Sequence, residues 1–346
     1  MTTYREAQGY RIRSVASNPD NPKAGQIWYN KNTQQITVRT ESLAVFASGG
    51  NINTGRGNQS LSPVGTQTAG LLFGGQNDSM SPPKRGETEE YNGSSWSEQN
   101  DLNTDRYRIA GCGTQTAALG AAGYTLPGQT AKTEEYNGSS WSEQNDLSAV
   151  RAAASAAGTQ TAAVCIGGST YTVPEGSILR GYTEEYNGSS WTTANSIAPA
   201  LAPAPRVGVE GHGCCGTQTA ALVIGGNSGT LTGQTLEYDG TNYSNSGALT
   251  RGINGGWYFG IQTDAVCGGG SDTAGNRYVN DANTYDGTSW SSIPATLAVA
   301  REQPGSGGDS TAGMVFAGFQ PGSPSYALAT EEFTGQVIAT KTIDVS

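Results

Sequence analysis

The side chains with the most chemical potential are one histidine, five cysteines, and an arginine that returns at a fixed place in a repeat. His212 stands in GHGCCG beside Cys214 and Cys215, which together could offer a soft metal two thiols and one imidazole. Three donors leave a four-coordinate structural site one ligand short. A copper centre of two histidines and two tyrosines cannot be assembled from a single His. His212 therefore reads as structural or solvated. Cys165 and Cys267 share a column with Leu72, Gly120, Val223 and Val315, and Cys112 and Cys215 share another. A cysteine that exchanges with Val and Leu behaves as a small buried hydrophobe. The odd count and repeat-locked spacing argue against a disulfide framework.

Arg56, Arg106, Arg151, Arg206, Arg251 and Arg301 each precede a recurring motif. An arginine cluster facing a substrate carboxylate would suit a sialidase-like site. A residue present in every repeat more often does a structural job, so each Arg is expected to pair with a nearby Glu or to cap turn carbonyls. The Glu pairs 89–90, 134–135, 184–185 and 331–332 are adjacent in sequence. On a strand their side chains point to opposite faces, unlike the facing acid and base of a glycosidase. No GxSxG, HExxH or P-loop occurs. The expectation is a protein that is not an enzyme, with no catalytic residues, cofactor or metal.

The elements that position these residues come from a repeat. GTQTAGLLFGG begins at Gly65, GTQTAALGAAG at Gly113 and GTQTAAVCIGG at Gly158. GTQTAALVIGG, GIQTDAVCGGG and GDSTAGMVFAG follow from Gly216, Gly260 and Gly308. A second signature, TEEYNGSSW at 88–96, recurs unchanged at 133–141 and 183–191. It decays to TLEYDGTNY at 235–243, ANTYDGTSW at 282–290 and TEEFTGQVI at 330–338. A period of roughly 50 residues with a diglycine after an apolar run matches kelch-type propeller repeats. The short apolar runs read as strands buried on both faces, and the diglycine as their end. Asn-Gly and Asp-Gly read as two-residue hairpin turns. Each repeat thus reads as four strands, the first bearing the Arg, the second GTQTAAL, the third TEEY and the fourth SSW. The expected fold is all-β: a six-bladed kelch-like β-propeller of four antiparallel strands per blade, with a short N-terminal extension.

Composition agrees. Gly accounts for 50 of 346 residues, with 16 Tyr and 6 Trp, and only 14% of residues are charged. Such chains favour short strands and tight turns over helices. Net charge is −10 without a Lys/Arg cluster, so neither nucleic acid nor an anionic membrane is an expected partner. No stretch approaches the ~20 apolar residues of a membrane span. MTTYREAQGYRIR lacks the apolar core of a secretory signal, which implies synthesis in the cytoplasm.

Residues 1–41 lie outside the repeat and form an expected attachment segment, with 42–346 as the propeller. QIWYNKNTQQITVRT reads as a small hairpin with Trp28 and Tyr29 on one arm and Ile36 and Val38 on the other. Trp28 and Tyr29 are the candidate attachment residues. SLAVFASGGNINTGR resembles SSWSEQNDLNTDR, so 43–51 is expected to complete the last blade. The C-terminal tail QVIATKTIDVS is the competing source of that strand.

In an up-and-down blade the GTQT and YNGSS turns share one face. The connections at 76–87, 124–132, 169–182, 227–234, 271–281 and 319–329 share the other, with a Pro-rich loop at 192–205. The first set is uniform and the second diverse. Diverse loops on a fixed scaffold carry recognition. Tyr124, Tyr171, Arg180, Tyr278 and Tyr326 are the candidate binding residues, since exposed Tyr suits protein and sugar contacts.

The GTQTAAL…GG and TEEYNGSSW repeat, over about 43–335, resembles the kelch-like propeller proteins of tailed bacteriophages, particularly phages of aquatic bacteria such as cyanophages. NPDNPKAGQIWYNKNTQQITV resembles, more weakly, the short N-terminal module with a GQIWYN core common in phage tail and virion structural proteins. The resemblance implies a virion component, at the tail or on a fibre, that docks through one end and displays a propeller. Its implied partners are other tail or capsid proteins, further copies of itself within the particle, and possible host-surface receptors or glycans bound by the variable loops.

Overall fold

A computed structural model describes residues 12–20, 22–60, 62–83, 85–126, 128–172, 176–201, 207–323 and 325–343. Among them there is no α-helix, and the chain is all-β apart from a 3-10 turn at Ala198–Ala200. It forms two compact units: residues up to 44 with those from 335 onward, and Val45–Thr334.

The larger unit holds six four-stranded antiparallel sheets. Sheet 1 is Gly65–Thr66, Ala69–Phe73, Thr88–Tyr91 and Trp96–Gln99; sheet 2 is Ala110–Thr114, Ala117–Ala121, Thr133–Tyr136 and Trp141–Gln144. Sheet 3 is Ser155–Thr159, Ala162–Ile166, Thr183–Tyr186 and Trp191–Thr193; sheet 4 is Gly213–Thr217, Ala220–Ile224, Thr235–Tyr238 and Tyr243–Asn245. Sheet 5 is Trp257–Ile261, Asp264–Gly268, Ala282–Tyr285 and Trp290–Ile293. Sheet 6 combines Gly305–Gly308, Ala312–Phe316 and Thr330–Thr334 with Val45–Ser48, which pairs antiparallel with 330–334 so that Phe46 faces Phe333.

Two details depart from the sequence expectation. The repeated Arg precedes the first strand rather than lying in it, and GTQT straddles a turn: Thr114 ends one strand and Ala117 begins the next. The hairpin pair is Gly138–Ser139 rather than Asn-Gly, because Asn137 N–H donates to Ser140 O and so closes a loop of two. Asn137 Oδ1 accepts the N–H groups of Ser139 and Ser140 while Gly138 takes φ +87°, open to residues without a Cβ.

Second strands such as Ala162–Ile166 are buried from their second residue onward, as an apolar run packed on both faces should be. Neighbouring sheets are fastened by the same side chains each time. Gln115 of sheet 2 donates to Gly70 O and Tyr91 O of sheet 1; Gln160, Gln218 and Gln262 repeat this onto sheets 2, 3 and 4. Gln67 of sheet 1 does so onto Gly313 O and Phe333 O of sheet 6. Tyr136 OH donates to Glu90 at 2.9 Å, and Tyr186, Tyr238, Tyr285 and Tyr91 reach Glu135, Glu185, Glu237 and Glu332 likewise. Trp141 Nε1 donates to Thr88 Oγ1, as Trp191, Trp290 and Trp96 do to Thr133, Thr235 and Thr330.

The small unit is a sheet of its own. Arg13–Val15 pairs parallel with Ile27–Asn30, which pairs antiparallel with Gln35–Ser42. Gln35–Ser42 pairs in turn with Val337–Ile343. The residues from 335 onward thus belong with this unit rather than with the repeat, because Gln35–Ser42 offers seven register positions to the tail, from Ile36↔Ile343 to Ser42↔Val337. Trp28 is fully buried, its Nε1 donating to Asn18 Oδ1.

Candidate functional site

The site is built from the loops that follow the repeated arginines. Arg56, Arg106, Arg151 and Arg301 are fully buried and pair with Glu89, Glu134, Glu184 and Glu331 at 2.7, 2.9, 2.6 and 2.5 Å. The other carboxylate oxygen accepts a loop amide, from Asn53, Asn103, Ser148 and Ala298 respectively. Arg106 also donates to the carbonyls of Ala122 and Lys132, so it caps turns as well as pairing. Burial lowers the pKa of Arg106 and Glu134 opposes that shift; the guanidinium stays charged. Arg206 lies outside the described residues. In sheet 5 the Glu position holds Asn283, and Arg251 turns to Asp281, which is more exposed.

Beyond these pairs, six loop residues adopt the left-handed backbone: Asn58, Arg108, Ala153, Gly211, Gly255 and Gln303, with φ of 58, 54, 55, 62, 60 and 52°. Their backbones form a hydrogen-bond circuit. Arg108 N–H donates to Asn58 O, Ala153 to Arg108, Gly211 to Ala153 and Gly255 to Gly211. Gln303 donates to Gly255 O, and Asn58 donates to Gln303 O, the residue where the circuit ends. Holding four non-glycine residues at positive φ costs of order 1 kcal/mol or more each, which the surrounding bonds must offset.

Above this circuit lies a cavity of about 200 Å³ with polar walls: Arg108, Glu210, Asn227, Asn254, Ser271 and Gln303. Arg108 spends its Nε on Asn58 Oδ1. Its terminal nitrogens, the Glu210 carboxylate and the Gln303 carboxamide make no hydrogen bond among the described residues. Beneath the circuit the interior is filled. Ser60 Oγ accepts Gly111 N–H, Ser62 Oγ accepts Ala156 N–H from sheet 3, and Ser306 Oγ donates to Tyr258 O.

None of the expected binding residues is among those lining the cavity, and their exposure is unequal. Tyr124 stacks on Tyr107 at 5.2 Å and accepts a hydrogen bond from Gln129. Burial raises the Tyr124 hydroxyl pKa, and it also feels the charges of Arg108 and Glu210 and the hydroxyl of Tyr171. Tyr171 is 55% exposed on the hairpin Ser169–Thr172 and Gly176–Leu179. Arg180 is half-buried, donates to Thr170 Oγ1 and lies over the Tyr182 ring. Tyr278 is half-buried with Arg277 over its ring, and Arg277 Nε donates to Glu302. Tyr326 is buried, accepting Asp78 N–H and tilting against Phe319, so it supports the loops rather than presenting a contact. Trp28 is likewise core, leaving half-buried Tyr29 as the more accessible of that pair.

Arg108, Glu210, Asn227, Asn254 and Gln303 were invisible to motif reading because they belong to no chemical signature. Their signal is positional: Arg108 and Gln303 each stand two places after the repeated Arg, where the letters vary between repeats. At the opposite end the turns are uniform. A Cβ on Gly138 would stand 3.3 Å from Thr116 Cβ, and Gly93, Gly188, Gly240 and Gly287 approach Thr68, Thr161, Thr219 and Thr263 in the same way.

His212 is fully buried, its ring nitrogens make no close hydrogen bond among the described residues, and burial depresses its pKa to about 4, opposed by the nearby Ile166 backbone. All five cysteines are free and buried, and burial raises the thiol pKa of each. No protein-family model matches the sequence, and no curated protein matches it significantly. What fold and site define is a class: an all-β protein of repeated four-stranded antiparallel sheets with a polar loop-lined cavity.

Proposed function

We propose that the six sheets are the blades of a six-bladed kelch-like β-propeller, and that the protein is a non-enzymatic component of a tailed-phage particle. In this reading it belongs to the tail or a fibre, is held through the small unit, and contacts partner proteins with the propeller faces. The observation that carries the architecture is the six-residue hydrogen-bond circuit, together with the Gln and Tyr contacts that join sheet 1 to sheet 6 as they join sheets 1 and 2. The phage assignment is supported by the resemblance of TEEYNGSSW and GQIWYN to virion proteins. For attachment, the small unit offers exposed Ile27, Val337 and Ile343 beside Tyr29.

Purification of intact particles tests this. The chain should copurify in fixed copy number, and its absence from purified particles would rule the proposal out. A second reading, a receptor- or glycan-binding tail protein, is favoured by one specific observation: the unspent polar groups of the cavity lie among the diverse loops. Adsorption of the full chain to host cells separates the two readings.

A further inference from the structure

Resting on the reading that the variable loops bind, we infer that the cavity over the hydrogen-bond circuit takes one ring of a neutral, hydroxyl-rich saccharide.

Three observations carry this. First, the walls offer hydrogen-bonding capacity of both kinds without internal use: donors from the Arg108 terminal nitrogens, acceptors from Glu210, and both from Gln303. A vicinal diol donates and accepts within one small ligand, so it satisfies such a wall where a purely anionic or cationic group does not. Second, Arg108 and Glu210 form no ion pair with each other among the described residues, yet both line the same cavity. A ligand of either net charge would meet a like charge there, so neutrality is favoured. Third, Leu231 and Ala153 are the only apolar side chains of the lining, too little to anchor an apolar peptide side chain. Tyr107, next to Arg108 of the lining, stacks on Tyr124 at 5.2 Å, a flat surface suited to the C–H face of a following sugar unit. The walls are also preorganised. Asn254 Nδ2 donates to Glu210 O, Ser271 Oγ donates to Asn254 O, and Asn227 Oδ1 accepts Gly229 N–H. Rigid polar groups lose little freedom on binding.

The test titrates the purified full chain with methyl glycosides of galactose, mannose, rhamnose and N-acetylglucosamine, and with glucuronate, by saturation-transfer NMR. At least one neutral glycoside should bind, and glucuronate should bind no better. Glu210→Ala and Gln303→Ala should each weaken binding about tenfold with an unchanged melting temperature, the factor set by one hydrogen-bonded contact. Leu231→Trp, which fills the cavity, should abolish it, and Ser310→Ala on the far side should leave it intact. Failure of every neutral glycoside to bind at millimolar concentration would overturn the inference. So would binding that survives both Glu210→Ala and Leu231→Trp, or a preference for glucuronate. Particle copurification is read separately, so loss of sugar binding leaves the virion proposal standing, and the reverse.

Discussion

Five of the contacts between sheets in the large unit carry Tyr–Glu and Gln hydrogen bonds, and the contact between sheets 5 and 6 is held by aromatic rings in their place. Where sheet 3 meets sheet 2, Tyr186 donates to Glu135, Trp191 to Thr133, and Gln160 to backbone carbonyls. Where sheet 6 meets sheet 5, every one of these partners has changed together. Phe333 stands in place of the Tyr and Thr284 in place of its Glu; Phe46 replaces the Trp and Ala282 its Thr. Ser310, at the Gln position, donates to Asp264 instead. The space is taken by Trp257, Phe259, Phe46 and Phe333, whose ring centroids lie 5.1–5.5 Å apart. The lesson is that the hydrogen bonds are exchangeable as sets, not singly. Removing both partners of a buried bond can be nearly neutral, whereas removing one strands the other. The aromatic junction also belongs to the sheet assembled from two distant stretches of chain, 45–48 and 305–334. Apolar burial there supplies strength without requiring each donor to find its acceptor in register.

The largest expected effect lies in the aromatic junction. Phe259→Ala should destabilise the protein by about 3–5 kcal/mol in urea or thermal unfolding, since Phe259 is fully buried between two rings. A loss near that of a polar-junction substitution would break the contrast.

Next comes acid sensitivity at a polar junction. Ser155 of sheet 3 donates to the carbonyl of His212, which leads into sheet 4. The folded His212 pKa is depressed, so the unfolded chain binds the extra proton and stability falls with pH from about 6.5 to about 4. The drop attributable to His212 is about 3 kcal/mol. His212→Leu should flatten the acid limb by that amount; an unchanged pH profile would contradict it.

Smaller still, Tyr186→Phe should cost about 1–2 kcal/mol, the worth of a partly buried bond to a carboxylate. Adding Glu135→Thr, which copies the sheet 5–6 pairing, should recover part of that loss. Strict additivity would show that the two residues do not act as a set. Ser310→Ala, on an exposed contact, should stay within about 0.5 kcal/mol.

Much of this was legible in the sequence, for a physical reason. Columns such as TEEY and GTQT repeat because each side chain has the same neighbour in the next sheet, so periodicity exposes the strands and the buried Arg–Glu pairs. The first strand of sheet 1 was harder to read. Only Gly65–Thr66 is strand there, because Ser60 and Ser62 leave the sheet to bond the backbones of Gly111 and Ala156. The partner of the C-terminal tail was also hidden, since VIATKTI carries no mark choosing between strands of similar pattern. Exposure was hidden too: Tyr326 and Tyr171 look alike as letters, but the Asp78 amide and Phe319 draw one inward. The cavity residues escaped because their variation, which suits them to recognition, removes them from any motif.

The central claim is that the first and last stretches of the repeat region, Val45–Ser48 and Thr330–Thr334, pair in one sheet. Val45 and Thr334 are direct cross-strand partners, both exposed. Directly opposed antiparallel Cα atoms lie within disulfide range. Oxidation of the Val45→Cys, Thr334→Cys double variant should yield an intramolecular cross-link, seen as faster migration on a non-reducing gel and a raised melting temperature. Two freely titratable thiols that never cross-link in the folded protein would contradict the account.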